Sequence, residues 1–408
     1  MGIREWSNVT LRDISKSIVY GYTASAQFEP IGPKFLRITD IVGGLDWNKV
    51  PFCEIALNDY KKYKLEIGDI VIARTGATTG TTEIIKEDKS AVFASYLIRF
   101  RVDQIIADPF FIGYVLKSNS WKEFIKSSIG GSAQPGINAN VLSRFDLLLP
   151  PLPIQHRIVE ILSALDDKIE LNRQTNATLE AIAQAIFKEW FVDFNFPGAT
   201  GELVESELGM IPKGWMVDTI LAVADLLSGG TPSTKITEYW NGDIKWISAK
   251  DVSNSSGTFI LDTERNITRL GVKNSSTKIL PKLTTIVTAR GTVGSYCILS
   301  EPMAMNQTNY GLKAKEQESD YFVFFSLANL VAQLKQASYG TIFDTVTTTT
   351  FEKSKIIIPP FFIIQKFDRL VKPIMETILG NIEQSKSLSK IRDSILPKLM
   401  NGEINFSN

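Results

Sequence analysis

The residues best suited to chemistry in this chain are arginines, threonines and side-chain amides set beside glycine, a combination that contacts nucleic acid rather than one that breaks bonds. Arg74-Thr75-Gly76-Ala77-Thr78-Thr79-Gly80 places a guanidinium at the end of the strand-like run Asp69 to Ala73, just ahead of a small-residue turn. Such a guanidinium can pair with O6 and N7 of guanine while backbone N–H groups of the turn face phosphate. Arg290-Gly291-Thr292-Val293-Gly294 repeats the arrangement. The same pattern also suits a tight turn whose arginine closes an ion pair, with Asp40 or Asp251 as the acid. Gly130 to Asn138 adds Ser132, Gln134 and Asn138, and its counterpart Tyr339 to Asp344 adds Thr341 and Asp344 in a similar frame with different side chains. Gln307, Asn309 and Tyr310 extend the set, because amides can read adenine, although each also suits an ordinary loop.

Residues for catalysis are harder to assemble. His156 is the single histidine and follows prolines at a helix start, where a surface or capping role is expected. Two cysteines, Cys53 and Cys297, make neither a disulfide framework nor, with one histidine, a usual zinc shell. No Gly-x-x-x-x-Gly-Lys-Ser/Thr phosphate loop is present, and Asn195-Phe196-Pro197-Gly198 is not the Asn/Asp-Pro-Pro-Tyr/Phe tetrapeptide of amino-methyltransferases. The expectation is a chain that holds no metal and binds no cofactor directly.

The elements that position these residues follow from length and repetition. At 408 residues, 44% hydrophobic and 22% charged, the chain is expected to fold as two or more globular units. Its most apolar stretch, Tyr321 to Leu334, is interrupted by Asn329 and too short for a membrane span, and the first residues lack an apolar signal core, so a cytoplasmic location is expected. The formal net charge of zero argues against indiscriminate DNA coating and leaves local basic surfaces open.

The chain is written twice. Trp6 and Trp215, Gly131 and Gly340, and the pairs Pro150-Pro151 and Pro359-Pro360 all keep one spacing of 209 residues. Between them, Phe35 to Ile41 resembles Lys245 to Val252, and Ile70 to Arg74 resembles Ile286 to Arg290. Each half opens with a β-rich α/β-type domain of α+β character. Each then passes through a strand-like run ended by prolines, Leu147 to Pro151 or Ile356 to Pro360, into a helix.

Both helices show 4,3-spaced positions. The first gives Ile158, Leu162, Leu165, Ile169, Asn172, Asn176, Leu179, Ala183, Ile186 and Trp190; the second gives Phe367, Leu370, Ile374, Thr377, Asn381, Gln384, Leu388, Ile391 and Ile395. Amphipathic surface helices would share this spacing, yet its length and the polar middle of both seams predict an antiparallel coiled-coil pair. Residues 151–208 hold 4 basic and 10 acidic side chains and residues 359–408 hold 7 and 5, a modest complementarity. Helices of this length measure roughly 55 Å, enough to separate two readers of DNA half-sites in pseudo-twofold relation.

Three stretches carry a family resemblance. Gly229-Gly230-Thr231-Pro232-Ser233 followed by Tyr239 to Val252, with Lys250 in it, resembles the opening of a target recognition domain of type I restriction-modification specificity subunits. Trp190 to Phe194 with Ser206 to Trp215 is similar to that family's passage between halves, and Pro150 to Gln155 to its approach to a conserved helix. Domain one departs from the pattern with Gly21-Tyr22-Thr23-Ala24-Ser25. The resemblance implies target recognition domains at 1–150 and 209–358, spacer helices at 151–194 and 359–408, and a linker at 195–208, read as a solvated acidic hinge around Glu202, Glu205 and Glu207. It implies double-stranded DNA as ligand, two methyltransferase subunits and, in a larger assembly, endonuclease or translocase subunits as partners, with S-adenosylmethionine, ATP and Mg on those partners. Thr231, Ser233 and Lys250 join the expected DNA contacts. Gln155, Arg157, Asn172, Asn176, Gln365 and Asn381 are the expected partner-docking residues. A self-sufficient nucleic-acid enzyme and an assembly scaffold without DNA specificity are the alternatives.

Overall fold

The computed structural model describes residues 6–129, 136–255, 257–337 and 345–404. These form two compact units, one of residues 1–167 with 388–408 and one of residues 168–387, so each long helix contributes to both. The division falls within the two long helices, which begin at Leu152 and Phe361. Its cause is that helix ends share the cores of the globular parts.

In the first unit, alternation builds a four-stranded antiparallel sheet in the order Ser15–Tyr20, Leu97–Val102, Ile70–Ala73, Thr82–Ile84. The central strand Ile70–Ala73 is apolar throughout because both of its faces are covered. Ile70 and Ile72 enter a core with Phe100, Phe111 and Trp121, while Val71 and Ala73 enter another with Leu36 and Phe93. Ser7–Thr10 pairs with Asp146–Leu149, and the chain then enters the helix Leu152–Phe191. Ile158 and Leu162 of that helix join the first core together with Leu399 of the helix Phe361–Met400.

The second unit holds a five-stranded sheet in the order Ala224–Ser228, Asn309–Ala314, Thr285–Thr288, Tyr296–Leu299, Phe259–Ile260. A four-stranded sheet runs Arg265–Ile267, Trp240–Ile247, Met303–Met305, Ile279–Leu280. Its largest core is aromatic, with Phe187, Trp190 and Phe191 of the first long helix against Trp215, Phe322 and Phe367. The stretch expected to be a solvated hinge is instead partly folded. Leu203–Ser206 and Gly209–Pro212 form a hairpin, Glu202 pairs with Lys213 at 2.9 Å, and Glu207 pairs with Lys355. Phe194 and Phe196 lie against the Trp215 ring, so burial of aromatic surface outweighs the acidic composition that suggested a hinge.

Within each unit the long helices pack antiparallel. In the first unit Asp166 meets Arg392 at 2.7 Å; in the second Asn172 meets Asn381 and Gln384, and Asn176 meets Ile378 and Asn381. Every expected seam position of the first helix is buried or half-buried. In the second helix Leu370, Thr377, Gln384 and Ile391 are exposed, and the seam runs through Phe367, Val371, Ile374, Ile378, Asn381, Ser385, Leu388, Arg392, Ile395 and Leu399. Taking the three-residue step before the four-residue step misplaces alternate positions by one, because Leu370 and Ile391 are apolar decoys beside the true stripe.

In each unit a buried polar side chain in the first turns of a long helix binds backbone N–H at the start of a domain helix. In the first unit the Gln155 carboxamide oxygen accepts the Asp108 N–H at 2.7 Å, ahead of the helix Pro109–Val115, and its amide donates to the Pro150 carbonyl at 2.7 Å. In the second unit the Asp368 carboxylate accepts the N–H groups of Tyr321 and Phe322 at 3.1 and 2.9 Å, at the start of the helix Asp320–Ala337. Burial pushes the Asp368 carboxyl up to about 7 even though both N–H groups favour its charged form.

Candidate nucleic-acid interface

The two units carry the same turn, one residue out of the register expected from sequence. Gly76 and Gly291 adopt φ of 85° and 84°, and each is followed by a second left-handed glycine, Gly80 or Gly294. The Arg74 N–H donates to the Tyr96 carbonyl and the Arg74 carbonyl accepts from Ile137 N–H; the corresponding bonds in the second unit belong to Ala289, with Thr308 and Val346. Ala289, not Arg290, is therefore the counterpart of Arg74. One residue along an extended chain reverses the face to which a side chain points, so the two arginines leave the turn differently. Arg74 is half-buried with its guanidinium 5.0 Å from the Tyr20 ring centroid, and its Nε is buried without a hydrogen-bond partner. Arg290 is exposed.

Among the described residues neither arginine closes an ion pair. Asp40 instead receives Arg37 in a capping box, and Asp251 receives Ser248 and the Glu264 N–H. Those acids set helix starts, and the arginine side chains remain available. Thr75 bridges to Gly136, Thr79 donates to the Gly76 carbonyl at 2.7 Å, and the Thr78 carbonyl accepts from Thr81, so this turn is held by its own threonines.

Other expected contacts divide. Asn138 is the N-cap of Ala139–Leu142, its oxygen accepting from Val141 N–H at 3.0 Å. Asn309 is 1% exposed and donates to the Ile247 carbonyl, which removes it from any surface that meets DNA; its strand position faces the core side. Lys250 is exposed but paired with Glu264 at 2.7 Å, so it is not a free cation. Thr231 bonds to Gln307 and both are exposed; Ser233 is exposed with its carbonyl accepting from Trp240; Thr292 bonds to Ser253. Ser132, Gln134, Thr341 and Asp344 lie outside the described residues.

The departure in domain one leaves the backbone unchanged. A Cβ at Gly21 would meet the Ala94 carbonyl oxygen at 2.1 Å, and one at Gly229 would meet that of Asn306 at 2.1 Å. Tyr22 N–H then bonds to Phe93 and Gly230 N–H to Met305. Only glycine fits either approach.

Most of the expected docking residues serve the fold. Gln155 is wholly buried in the contact described above, and Asn172, Asn176 and Asn381 bond to one another's helices. Buried polar groups require such partners, and sequence spacing alone does not distinguish a seam amide from a surface one. Arg157 is exposed and pairs with Glu160 three residues on, Gln365 is half-buried, and His156 is exposed 3.6 Å from Asp108. Sequence reasoning missed Tyr20, whose signal was an aromatic two residues after Ile18 on the same strand face. It also missed the buried Tyr114 hydroxyl, which donates to Asp166 at 2.8 Å. Both thiols are buried, and desolvation raises Cys53 to about 11 and Cys297 to about 12, which leaves them unreactive at neutral pH. Among the described residues no group of three His, Cys, Asp or Glu is placed to hold a metal, and no helix is long and apolar enough to cross a membrane.

The fold is a duplicated α+β domain whose copies each present a glycine-bounded turn with an arginine beside it, and each unit also holds parts of two long helices packed antiparallel. The chain belongs to the type I restriction modification DNA specificity domain family, whose model matches residues 3–181 and again 212–384. It is 28% identical to the HindI specificity subunit of Haemophilus influenzae over 98% of this chain and 100% of that one. It is 29% identical to the MjaIX specificity subunit of Methanocaldococcus jannaschii over 83% of this chain and 75% of that one. The crystal structure of a type I restriction-modification S subunit from M. genitalium has the same fold, with a TM-score of 0.59 at 16% identity, covering 98% of this chain and 97% of that chain.

Proposed function

We propose that this chain selects a bipartite double-stranded DNA site for a type I restriction-modification complex and performs no chemistry itself. Two methyltransferase subunits, and endonuclease or translocase subunits in a larger assembly, act on the DNA it selects, in the cytoplasm. S-adenosylmethionine, ATP and Mg belong to those partners. The observation that carries the reading is the repeated turn with an arginine that has no ion pair among the described residues. Each half of the duplicated fold carries an arginine at this turn that has no ion pair among the described residues, and although the two leave the turn differently, each suits a ligand that supplies the acceptors.

The test is to express the chain with its methyltransferase subunits and map methylated adenines in host DNA with and without it. Methylation of one bipartite motif that disappears with the chain supports the role. Unchanged methylation counts against it, and activity of the purified chain alone with S-adenosylmethionine would restore the enzyme alternative.

A further inference from the structure

The two recognition domains solve one positioning problem with a tyrosine taken from opposite strands. In the first unit Tyr20, last residue of Ser15–Tyr20, stands across from Ile98; in the second Ser228 stands across from Tyr310. The neighbouring glycines Gly21 and Gly229 make the same close approach, so the cross-strand pairs Tyr20–Ile98 and Ser228–Tyr310 occupy equivalent places. Each place holds one tyrosine. Each hydroxyl reaches the same target, the first residue of the short helix that follows the expected reading stretch. Tyr20 accepts the Ala139 N–H at 2.9 Å, and the Tyr310 hydroxyl meets Thr348 Oγ1 at 3.4 Å. Ala139 opens Ala139–Leu142 and Thr348 opens Thr348–Lys353, directly behind the caps Asn138 and Thr347.

We propose that Tyr20 and Tyr310 are positioning residues for sequence reading, each fixing the turn at its strand end and the start of the following short helix as one surface. The arginine turn is joined to the same segment by backbone bonds, from Ile137 N–H to the Arg74 carbonyl in one half and from Val346 N–H to the Ala289 carbonyl in the other. In the first unit the Tyr20 ring also supports the Arg74 guanidinium, whose buried Nε has no hydrogen-bond partner among the described residues. Both contacts are partly exposed, so burial alone does not account for a tyrosine here; the hydroxyl does. Base reading tolerates displacements of only a few tenths of an ångström before a bidentate hydrogen bond is lost, and a tether at the edge of the reading surface is where such precision is gained. The role rests on the DNA-reading assignment above.

The experiment uses the full complex with its methyltransferase subunits on duplexes carrying each single-base change in either half-site. Tyr20→Phe keeps the ring and removes the hydroxyl, Tyr20→Leu removes both, and Tyr310→Phe is the counterpart. The expected result is a loss of about 10-fold in discrimination at one half-site for Tyr20→Phe and at the other for Tyr310→Phe, with more for Tyr20→Leu and with thermal stability and salt dependence unchanged. Equal relaxation at both half-sites, or loss in proportion to lowered stability, would assign the tyrosines to folding and overturn the proposal. So would unaltered discrimination in stable variants. Arg74→Lys separates the two ideas: if it is silent while Tyr20→Phe relaxes one half-site, the arginine contact falls and the tyrosine role stands through the short helix alone.

Discussion

Asp368 shows how one buried acid ties stability to pH. Burial pushes its carboxyl up to about 7 in the fold, well above the ordinary carboxylate range. Below pH 4 it is neutral in both folded and unfolded chains and contributes no difference. Between about 4 and 7 the unfolded chain ionises first, so the fold loses stability as pH rises, and above 7 the loss is complete. Asp368→Asn removes the titration and keeps an oxygen for one of the two N–H groups, since Tyr321 and Phe322 bond to different carboxylate oxygens. Thermal melts of the full chain at pH 5 and pH 8 are expected to converge in the variant, with a gain on the order of 1 kcal/mol or more at pH 8; an undiminished pH dependence would place the titration elsewhere. At this scale the sequence was legible in type and unreliable in register. Arg74 and Arg290 were visible as strand-end arginines, but the glycines Gly76 and Gly291 fix the alignment, and they put the arginines one residue apart. Asn309 looked like its near neighbour Gln307, but Gln307 lies exposed in the turn that precedes the strand while Asn309 opens the strand Asn309–Ala314 and is buried.

Among the elements, the two long helices were the most legible, since each carries about ten 4,3-spaced positions over 40 residues, a period that persists in the second helix past Pro373 and Gly380. What periodicity could not give was which of two adjacent rows meets the partner, because an apolar stripe spans more than one row. The amide cluster is what resolves it. Asn176 and Asn381 bond side chain to side chain at 2.8 Å, and Asn172 donates to the Ser385 hydroxyl at 3.2 Å. Polar groups at such positions specify alignment at a cost in stability. Asn176→Leu alone is expected to destabilise by about 1 kcal/mol because it strands the Asn381 amide, whereas Asn176→Leu with Asn381→Leu is expected to recover or exceed the original stability. Urea unfolding of the four combinations gives the coupling directly. A double variant less stable than either single one would mean that the amides contribute more than alignment.

For the whole molecule, the question is what sets the distance between the two half-sites that are read. Each long helix belongs partly to one unit and partly to the other, residues 152–167 and 168–191 in the first, residues 361–387 and 388–400 in the second. Removing one facing heptad from both shortens the helical path by about 10 Å, equal to about three base pairs of axial rise, while changing the helix phase by only about 20°. Three base pairs turn the DNA by roughly 100°, so length and phase cannot both be restored by one change of spacing. The shortened chain is therefore expected to prefer a site about three base pairs narrower and to act on it less well than the original acts on its own. Methylation by the full complex on duplexes whose spacer varies one base pair at a time reads both effects. An optimum that stays in place would mean that the helices do not act as the ruler, and that the cores which each helix shares with its domain set the spacing instead.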